Sequence, residues 1–161
     1  MEKSLRLMNI DCFNFKLSIS EVVLNVFKKY IQNDAKSPES GGIITGKLYE
    51  SLIDVLDCSE PSNLDVRSRY NFNRSFKTAQ NFINEKFKKS KGEEIYLGEW
   101  HTHPEDIPTP SNTDINSFIK TINKNRLNST VHFMMIVGRV SIYIGIYSDK
   151  KFKEKIIVNI K

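Results

Sequence analysis

The sequence has little cysteine and no long apolar run, and these absences exclude several protein classes. Cys12 and Cys58 are the only cysteines, too few and too far apart for a disulfide framework or a cysteine-based metal site. No apolar stretch approaches the ~18 residues that a membrane-spanning helix needs. Residues 1–5 also lack the basic and then apolar layout of a secretory signal. We therefore expect a cytoplasmic protein without membrane contact.

Basic residues outnumber acidic ones, with 24 Lys and Arg against 19 Asp and Glu and a formal net charge of +5. The excess is concentrated in two lysine-rich runs, residues 86–91 and 150–155. A nucleic-acid patch is one interpretation, but no aromatic platform or binding motif accompanies either run. We interpret the runs as a solvated helix end and a solvated turn, and we expect no nucleic-acid partner.

The hydrophobic periodicity predicts one mixed domain over residues 1–161. A hydrophobic fraction of 39% and a charged fraction of 27% are typical of a soluble globular protein. Helices are predicted after a capping box that begins at Ser18, over residues 75–89, and after Ser111. Strands are predicted over residues 41–49, 52–58, 95–100, 131–137, 140–147 and 152–160. The expected fold class is α/β of the α+β type, with a largely antiparallel sheet flanked by helices.

Two histidines, separated by a single residue, lie at the end of the third predicted strand, residues 95–100. They are His101 and His103, and Pro104 terminates the strand directly afterwards. Because side chains alternate along a strand, both imidazoles project from the same face, one pleat apart. At that separation both can reach one metal ion at ~2.0 Å. His132 has no such neighbour, and we interpret it as an ordinary residue of the core or of the surface.

Asp114 offers a carboxylate in the first turn of the helix that Ser111 is predicted to cap. The positive end of the helix dipole favours a carboxylate there, where it can also meet a cation. Two imidazole nitrogens and one carboxylate oxygen leave the fourth position of a tetrahedral zinc ion open, as in catalytic rather than structural sites. The pattern predicts a catalytic zinc site with His101, His103 and Asp114 as ligands.

A metal hydrolase also needs a general base for the attacking water, and a carboxylate usually fills this role. Glu39 precedes Gly41 and Gly42, and two glycines allow the backbone to approach a site closely. Glu99 is the rival, because it lies two residues before His101 on the same face of the strand. The residues alone favour Glu39 but leave both carboxylates open.

The order and spacing of these residues resemble the signature of the JAB/MPN/Mov34 (JAMM) metalloproteases. Three segments carry the likeness: Glu39-Ser40-Gly41-Gly42, His101-Thr102-His103-Pro104 and Ser111-Asn112-Thr113-Asp114. The resemblance implies a zinc isopeptidase with a fold like that of cytidine deaminases. It also implies a role for each matching residue: Glu39 as general acid/base, Ser111 as a donor to the tetrahedral oxyanion, and His101, His103 and Asp114 as zinc ligands.

Residues 96–104 and 108–111 are also similar to small stand-alone JAB proteins of bacterial mobile elements and CBASS antiviral operons. This resemblance implies cleavage of a conjugate that an E1/E2-like protein attaches through the C-terminus of a nucleotidyltransferase. The connection between Trp100 and Asp114 holds no long insertion, which suits recognition of a thin, extended C-terminal tail. Such a tail can add a strand to an exposed sheet edge.

Two other functions remain compatible with the sequence. The same site can process the precursor of a sulfur-carrier protein by cutting a peptide bond. A non-catalytic MPN scaffold, or a nucleic-acid-binding accessory protein without zinc, is the other alternative, and the complete set of five site residues argues against it. We expect a zinc-dependent isopeptidase or peptidase that cleaves amide bonds after the C-terminus of a ubiquitin-like or otherwise conjugated protein.

Overall fold

A computed structural model of the chain describes residues 8–12 and 14–160, which contain ten strands and three helices. The helices are α1 (Glu21–Lys29), α2 (Phe76–Lys89) and α3 (Asn112–Lys124). The strands are β1 (Met8–Asp11), β2 (Lys16–Ile19), β3 (Gly41–Leu48), β4 (Leu52–Cys58), β5 (Val66–Ser68), β6 (Asn71–Asn73), β7 (Ile95–Thr102), β8 (Val131–Val137), β9 (Ser141–Ser148) and β10 (Lys151–Asn159).

Eight strands form one sheet in the order β1-β2-β4-β3-β7-β8-β9-β10, while β5 and β6 form a separate hairpin. The pairs β2–β4 and β7–β8 are parallel. The remaining neighbours in the large sheet are antiparallel. The predicted fold class, a largely antiparallel mixed sheet flanked by helices, is therefore confirmed. Because β7 has a neighbour on each side, residues at its end are held by two strands.

Helix α1 is capped by Ser20, whose hydroxyl accepts a hydrogen bond from the Val23 backbone N–H at 3.3 Å. The predicted capping box that begins at Ser18 is wrong, because Ser18 belongs to β2 and pairs with β4. A residue engaged in a strand ladder lacks the position needed to cap the helix. The apolar positions of α1 pack on one face of the sheet through Val23, Leu24 and Phe27.

Helices α2 and α3 cover the opposite face. Residues of β8 alternate between the two layers, so that Met135 joins the α1 side and Met134 packs beneath α3. The centre of the α3 contact is Phe118, which is fully buried, and α2 contributes Ala79 beside Tyr96. Within the part of the chain that the structure describes, no helix has both the length and the apolar character needed to cross a membrane.

A bulge interrupts β7 shortly before the two histidines. Ile44 and Thr45 are consecutive in β3, yet they pair with Gly98 and Tyr96, so that Leu97 is an extra residue in β7. Gly98 has a φ of 146°, a conformation that side-chain-bearing residues rarely adopt. A sequence scan for regular alternation gives no sign of this irregularity.

The bulge resets which side of the sheet each residue of β7 faces. Leu97, at the bulge, packs with the α1 layer, and Trp100, three residues later, packs with the same layer. An uninterrupted strand would send two residues three apart to opposite faces. As a result, Glu99 and His101 open toward the α3 side, where they line one cleft. The direction in which His101 projects therefore depends on this irregularity.

Four short strands were absent from the sequence-based prediction. β1, β2, β5 and β6 have only three or four residues each, too few to establish an alternating pattern. In addition, β7 extends to Thr102 rather than ending at the predicted Trp100. His101 is therefore part of the strand itself, and its direction is set by the sheet.

Candidate metal centre

The end of β7 and the first turn of α3 bring the two imidazoles against the Asp114 carboxylate. The Nε2 atoms of His101 and His103 are 3.2 Å apart. Oδ1 of Asp114 lies 3.4 Å from Nε2 of His101, and Oδ2 lies 3.1 Å from Nε2 of His103. The backbone N–H of His103 donates to the Val137 carbonyl at 3.0 Å, which continues the pairing with β8 past the end of β7. The three residues expected to bind a metal thus converge on one point.

Glu39 joins this group from a distant part of the chain. One potential ligand atom from each of Glu39, His101, His103 and Asp114 lies within 4.8 Å of the others. Burial raises the pKa of the Glu39 carboxyl; the two imidazoles oppose this effect, and the neighbouring Asp114 carboxylate adds to it. Imidazole nitrogens and carboxylate oxygens so close together form a donor set that fits a divalent metal ion.

The backbone around Glu39 is held from two sides. On one side, its N–H donates to the Ser68 carbonyl of β5, and Nε of Arg67 donates to the Glu39 carbonyl at 3.1 Å. Nη2 of Arg67 also donates to Oγ of Ser40 at 2.6 Å. On the other side, the Ser40 N–H donates to Oγ1 of Thr102 at 3.0 Å, and the Thr102 N–H donates to the Ser40 carbonyl at 2.8 Å. The hairpin and β7 together therefore position Glu39.

The predicted cap at Ser111 is confirmed, and the structure shows that Ser111 and Asp114 form a reciprocal capping box at the start of α3. Oγ of Ser111 accepts from the Asp114 N–H at 3.0 Å, and the Ser111 N–H donates to Oδ2 of Asp114 at 2.9 Å. Burial alone would raise the pKa of the Asp114 carboxyl, but hydrogen bonds from His101 and His103 hold it well below its usual range. Asp114 is therefore an anion oriented by its own helix, and Ser111 lies beside it.

The rival carboxylate, Glu99, is engaged elsewhere. Its Oε1 lies 2.6 Å from Nη1 of Arg74. Glu99 lines the same cleft as His101 but is absent from the group of four converging residues. Burial raises the pKa of its carboxyl, while Arg74 and then His101 oppose the rise. The structure thus places Glu39, and not Glu99, against the two histidines.

Gly41 and Gly42 do allow a close backbone approach, although not to the metal ligands. A Cβ on Gly41 would lie 2.5 Å from the Trp100 carbonyl oxygen and 2.9 Å from the Phe72 ring of β6. A Cβ on Gly42 would overlap the carbonyl of Ser59. The two glycines therefore permit tight packing of β3 against its surroundings, which fixes the position of the preceding residues.

A cleft of about 670 Å³ opens from the candidate metal centre. Glu39, His101 and Asp114 lie along it, together with Ser111 at the start of α3. The hairpin segment 70–73 and the exposed side of α3 line the remaining cleft. The grouped side chains thus lie on a cleft that the hairpin and α3 border.

Arg67 and Glu105 contact the site and were missed in the sequence. Arg67 belongs to a strand too short to predict, so nothing placed it beside Glu39. Glu105 follows Pro104, where the strand alternation no longer applies, yet its Oε1 lies 2.8 Å from Nδ1 of His103. Chemistry could have pointed to Glu105, because metal-binding histidines commonly have a carboxylate at the second ring nitrogen.

Three curated relatives are similar to most of this chain, and each is named CD-NTase/cGAS isopeptidase. The protein from Escherichia coli (strain TW11681) is 40% identical over 155 residues, covering 94% of this chain and 96% of the relative. Its counterpart in Vibrio cholerae (serotype O1, strain ATCC 39315 / El Tor Inaba N16961) is 39% identical over 129 residues, covering 80% and 78%. A third, from Pseudomonas aeruginosa (strain BWHPSA011 / Pa011), is 31% identical over 128 residues, covering 80% of each chain.

A solution structure of a Desulfitobacterium hafniense protein is 17% identical with a TM-score of 0.49, over 85% of this chain and 83% of that one. A family model described as prokaryotic homologs of the JAB domain matches residues 29–151. The matched region runs from the end of α1 to the start of β10 and contains every residue of the candidate metal centre. This chain belongs to the prokaryotic JAB-domain family.

Proposed function

We propose that this protein is a zinc-dependent isopeptidase that releases a CD-NTase of a bacterial CBASS antiviral system from conjugates formed through its C-terminus. The observation that carries the proposal is the convergence of Glu39, His101, His103 and Asp114 in a chain that is 40% identical to a CD-NTase/cGAS isopeptidase. We include in the proposal that E1/E2-like proteins form the conjugate.

His101, His103 and Asp114 are the proposed zinc ligands. Their nearest donor atoms are 3.1 to 3.4 Å apart, and two neutral nitrogens with one anionic oxygen match the ligands of catalytic zinc sites. A bound zinc ion would lower the pKa of a water molecule and polarise the scissile carbonyl. The side chains of β7 and α3 supply the fixed geometry.

Glu39 is the proposed proton carrier. Its carboxyl lies in the same group but is buried, and it is held by its backbone rather than by a salt bridge. In amide hydrolysis, the carboxylate takes a proton from the attacking water and delivers it to the amine that leaves as the C–N bond breaks. Among the described residues no arginine pairs with the Glu39 carboxylate, and a carboxylate of this kind suits the exchange better than the paired Glu99.

Ser111 is the proposed donor to the oxygen that becomes negative at the scissile carbonyl. Its Oγ accepts a hydrogen bond from the Asp114 N–H, so the hydroxyl hydrogen can point into the cleft. A donor fixed by a helix cap needs no reorganisation during the reaction, which is the property that makes such donors effective.

The cleft beside the metal centre supports a substrate that enters as an extended chain. It runs between the hairpin and α3, and exposed backbone and side chains of both border it. An extended C-terminal tail can lie along such a groove with its last carbonyl at the metal centre, while a folded protein surface cannot enter. We therefore propose cleavage immediately after the C-terminal residue of the conjugated protein.

A cleavage assay tests this function. A CD-NTase fused through its C-terminus to a second protein is incubated with wild-type protein or with Glu39→Ala, and the products are weighed by mass spectrometry. The expected result is an intact native CD-NTase C-terminus with wild type and no product with the variant. Cleavage at scattered internal sites, or no cleavage by metal-loaded wild type, would overturn the proposal.

A sulfur-carrier precursor fused in the same way provides the matched substrate control. Both fusions present an amide bond after a flexible C-terminal tail, so a difference in rate reports recognition of the released protein. We expect faster cleavage of the CD-NTase fusion. Faster cleavage of the sulfur-carrier fusion would assign the protein to precursor processing instead.

A further inference from the structure

We propose that Glu105 is a positioning residue that holds the His103 imidazole in the tautomer and orientation needed to bind a metal ion. This inference rests on the metal centre of the proposed function and adds a residue outside its ligand set. Glu105 neither joins the converging group nor lines the cleft, so it contacts neither metal nor substrate in the proposed reaction.

The two nitrogens of His103 have different partners. Nδ1 lies 2.8 Å from Oε1 of Glu105, while Nε2 lies 3.1 Å from Oδ2 of Asp114. A carboxylate beside Nδ1 accepts a hydrogen bond from it and so keeps the proton on that nitrogen. The lone pair of the neutral ring is then on Nε2, which faces the other donor atoms.

The backbone of Glu105 is anchored, so its carboxylate can orient the ring. Its carbonyl accepts from the Arg139 N–H at 2.8 Å, and the next carbonyl, of Asp106, accepts from the Val140 N–H at 3.1 Å. Both carbonyls lie against Gly138, where a Cβ would approach them to 2.7 and 2.8 Å. The turn between β8 and β9 thus fixes the loop that carries Glu105.

The side chain itself is partly exposed, at 46%, whereas that of His103 is 12% exposed. Removing the Glu105 carboxylate therefore takes away a contact of the imidazole without opening a cavity in the core. Loss of a hydrogen-bond partner of a metal-ligating histidine typically weakens metal binding by ~10- to 100-fold. A specific loss of metal affinity with unchanged stability of the metal-free protein is the expected signature.

The experiment measures zinc affinity by competition with a chromophoric chelator in wild type, Glu105→Ala, Glu105→Gln and Asp106→Asn. Asp106→Asn is the matched control, because it removes one negative charge from the same loop, where Asp106 pairs with Arg139 rather than with His103. Thermal unfolding of each metal-free protein shows whether folding has changed.

We expect Glu105→Ala to bind zinc at least ~10-fold more weakly than wild type, with an unchanged melting temperature of the metal-free form. Glu105→Gln should retain part of the affinity, because its amide oxygen still accepts from Nδ1. Asp106→Asn should bind as wild type does. Equal affinity of Glu105→Ala and wild type, or an equal loss in Asp106→Asn, overturns the positioning role while leaving the metal centre intact. Absence of zinc binding by wild type overturns the proposed function as well.

Discussion

Glu39 and Glu99 illustrate how the surroundings of a carboxylate decide what it can do. Both are shielded from water and both have a raised pKa, for which burial is the first cause. Glu99 is paired with Arg74 at 2.6 Å, and its charge is therefore already compensated. Glu39 faces His101 and His103 instead. The same residue type thus has a structural partner in one case and a proposed chemical role in the other.

Replacing Glu39 should separate proton transfer from metal binding. Glu39→Ala removes none of the proposed ligands, so the zinc content should stay at the wild-type level while kcat falls by ~10²-fold or more. Glu99→Ala should have a milder effect on kcat. Steady-state kinetics on a fusion substrate, with metal analysis of the same samples, measure both quantities. The opposite ranking of the two variants would transfer the role of base to Glu99.

The sequence left His132 as an ordinary residue of the core or of the surface, and the structure places it in the core, 3% exposed and outside the metal-binding group. Within the described residues its Nε2 is buried without a hydrogen-bond partner, and burial lowers its pKa from 6.5 to about 4. Between these values the unfolded chain binds a proton that the folded protein does not. This histidine therefore makes the free energy of unfolding rise with pH from about 4 to 6.5, and its effect is constant above that range.

His132→Leu isolates this contribution, because all other titrating groups are shared with wild type. The free energy of unfolding of metal-free wild type, relative to the variant, should fall by ~2 kcal/mol between pH 7.5 and pH 5. Urea denaturation at several pH values provides the measurement. A difference that does not change with pH would show that His132 is not buried in its neutral form.

At the scale of elements, the β7 bulge determines the direction of the first proposed ligand. A Cβ on Gly98 would overlap the backbone carbonyl of Phe133, and the φ of 146° adds strain for any residue with a side chain. Gly98→Ala should therefore lower the free energy of unfolding by ~2 kcal/mol or more and reduce zinc binding, because β7 must shift relative to β8.

Gly145→Ala is the matched control for this substitution. Gly145 also lies in a central region of the sheet, but a Cβ there would meet only side-chain atoms at 3.0 to 3.2 Å, and its φ is not positive. We expect a smaller loss of stability and full zinc binding. Chemical denaturation and chelator competition report the two effects. A Gly98→Ala protein as stable and as metal-loaded as Gly145→Ala would contradict the role of the bulge.

The β5–β6 hairpin contributes to the site through Arg67, which donates to the Glu39 carbonyl at 3.1 Å and to Oγ of Ser40 at 2.6 Å. Arg67→Ala should lower kcat by ~10-fold or more, because small displacements of a catalytic group are costly, while zinc remains bound. Arg69→Ala is the control: the Arg69 side chain donates to the Asp34 carbonyl and does not contact Glu39. Equal kcat values for the two variants would show that Arg67 does not position Glu39.

The longer elements and the local part of the site could be predicted from sequence. Periodicity identified the three helices and six strands, and the spacing from His101 to Asp114 suggested a metal site, since a strand end and the following helix cap lie close together. The bulge at Leu97 could not be predicted, because it depends on pairing with β3. The contacts of Arg67 were equally hidden, because a three-residue strand carries no periodic signal.

At the scale of the whole molecule, the fold joins segments that are far apart in sequence. Glu39 precedes β3, His101 and His103 flank the last residue of β7, and Asp114 lies in the first turn of α3, yet their ligand atoms lie within 4.8 Å of one another. Antiparallel pairing of β3 with β7 accomplishes this, because Gly41 pairs with His101. Sequence spacing alone left Glu39 and Glu99 as alternatives, since it does not determine which distant strand becomes the neighbour.

We propose above all that His101, His103 and Asp114 hold a zinc ion and that amide cleavage requires it. Elemental analysis of native protein purified without chelators, combined with the fusion-cleavage assay before and after metal removal, tests it most directly. We expect about one zinc per chain, none in the His101→Ala/His103→Ala variant, loss of cleavage on chelation and recovery on adding zinc. A native protein that contains no divalent metal, or that cleaves its substrate equally well after metal removal, would contradict the claim.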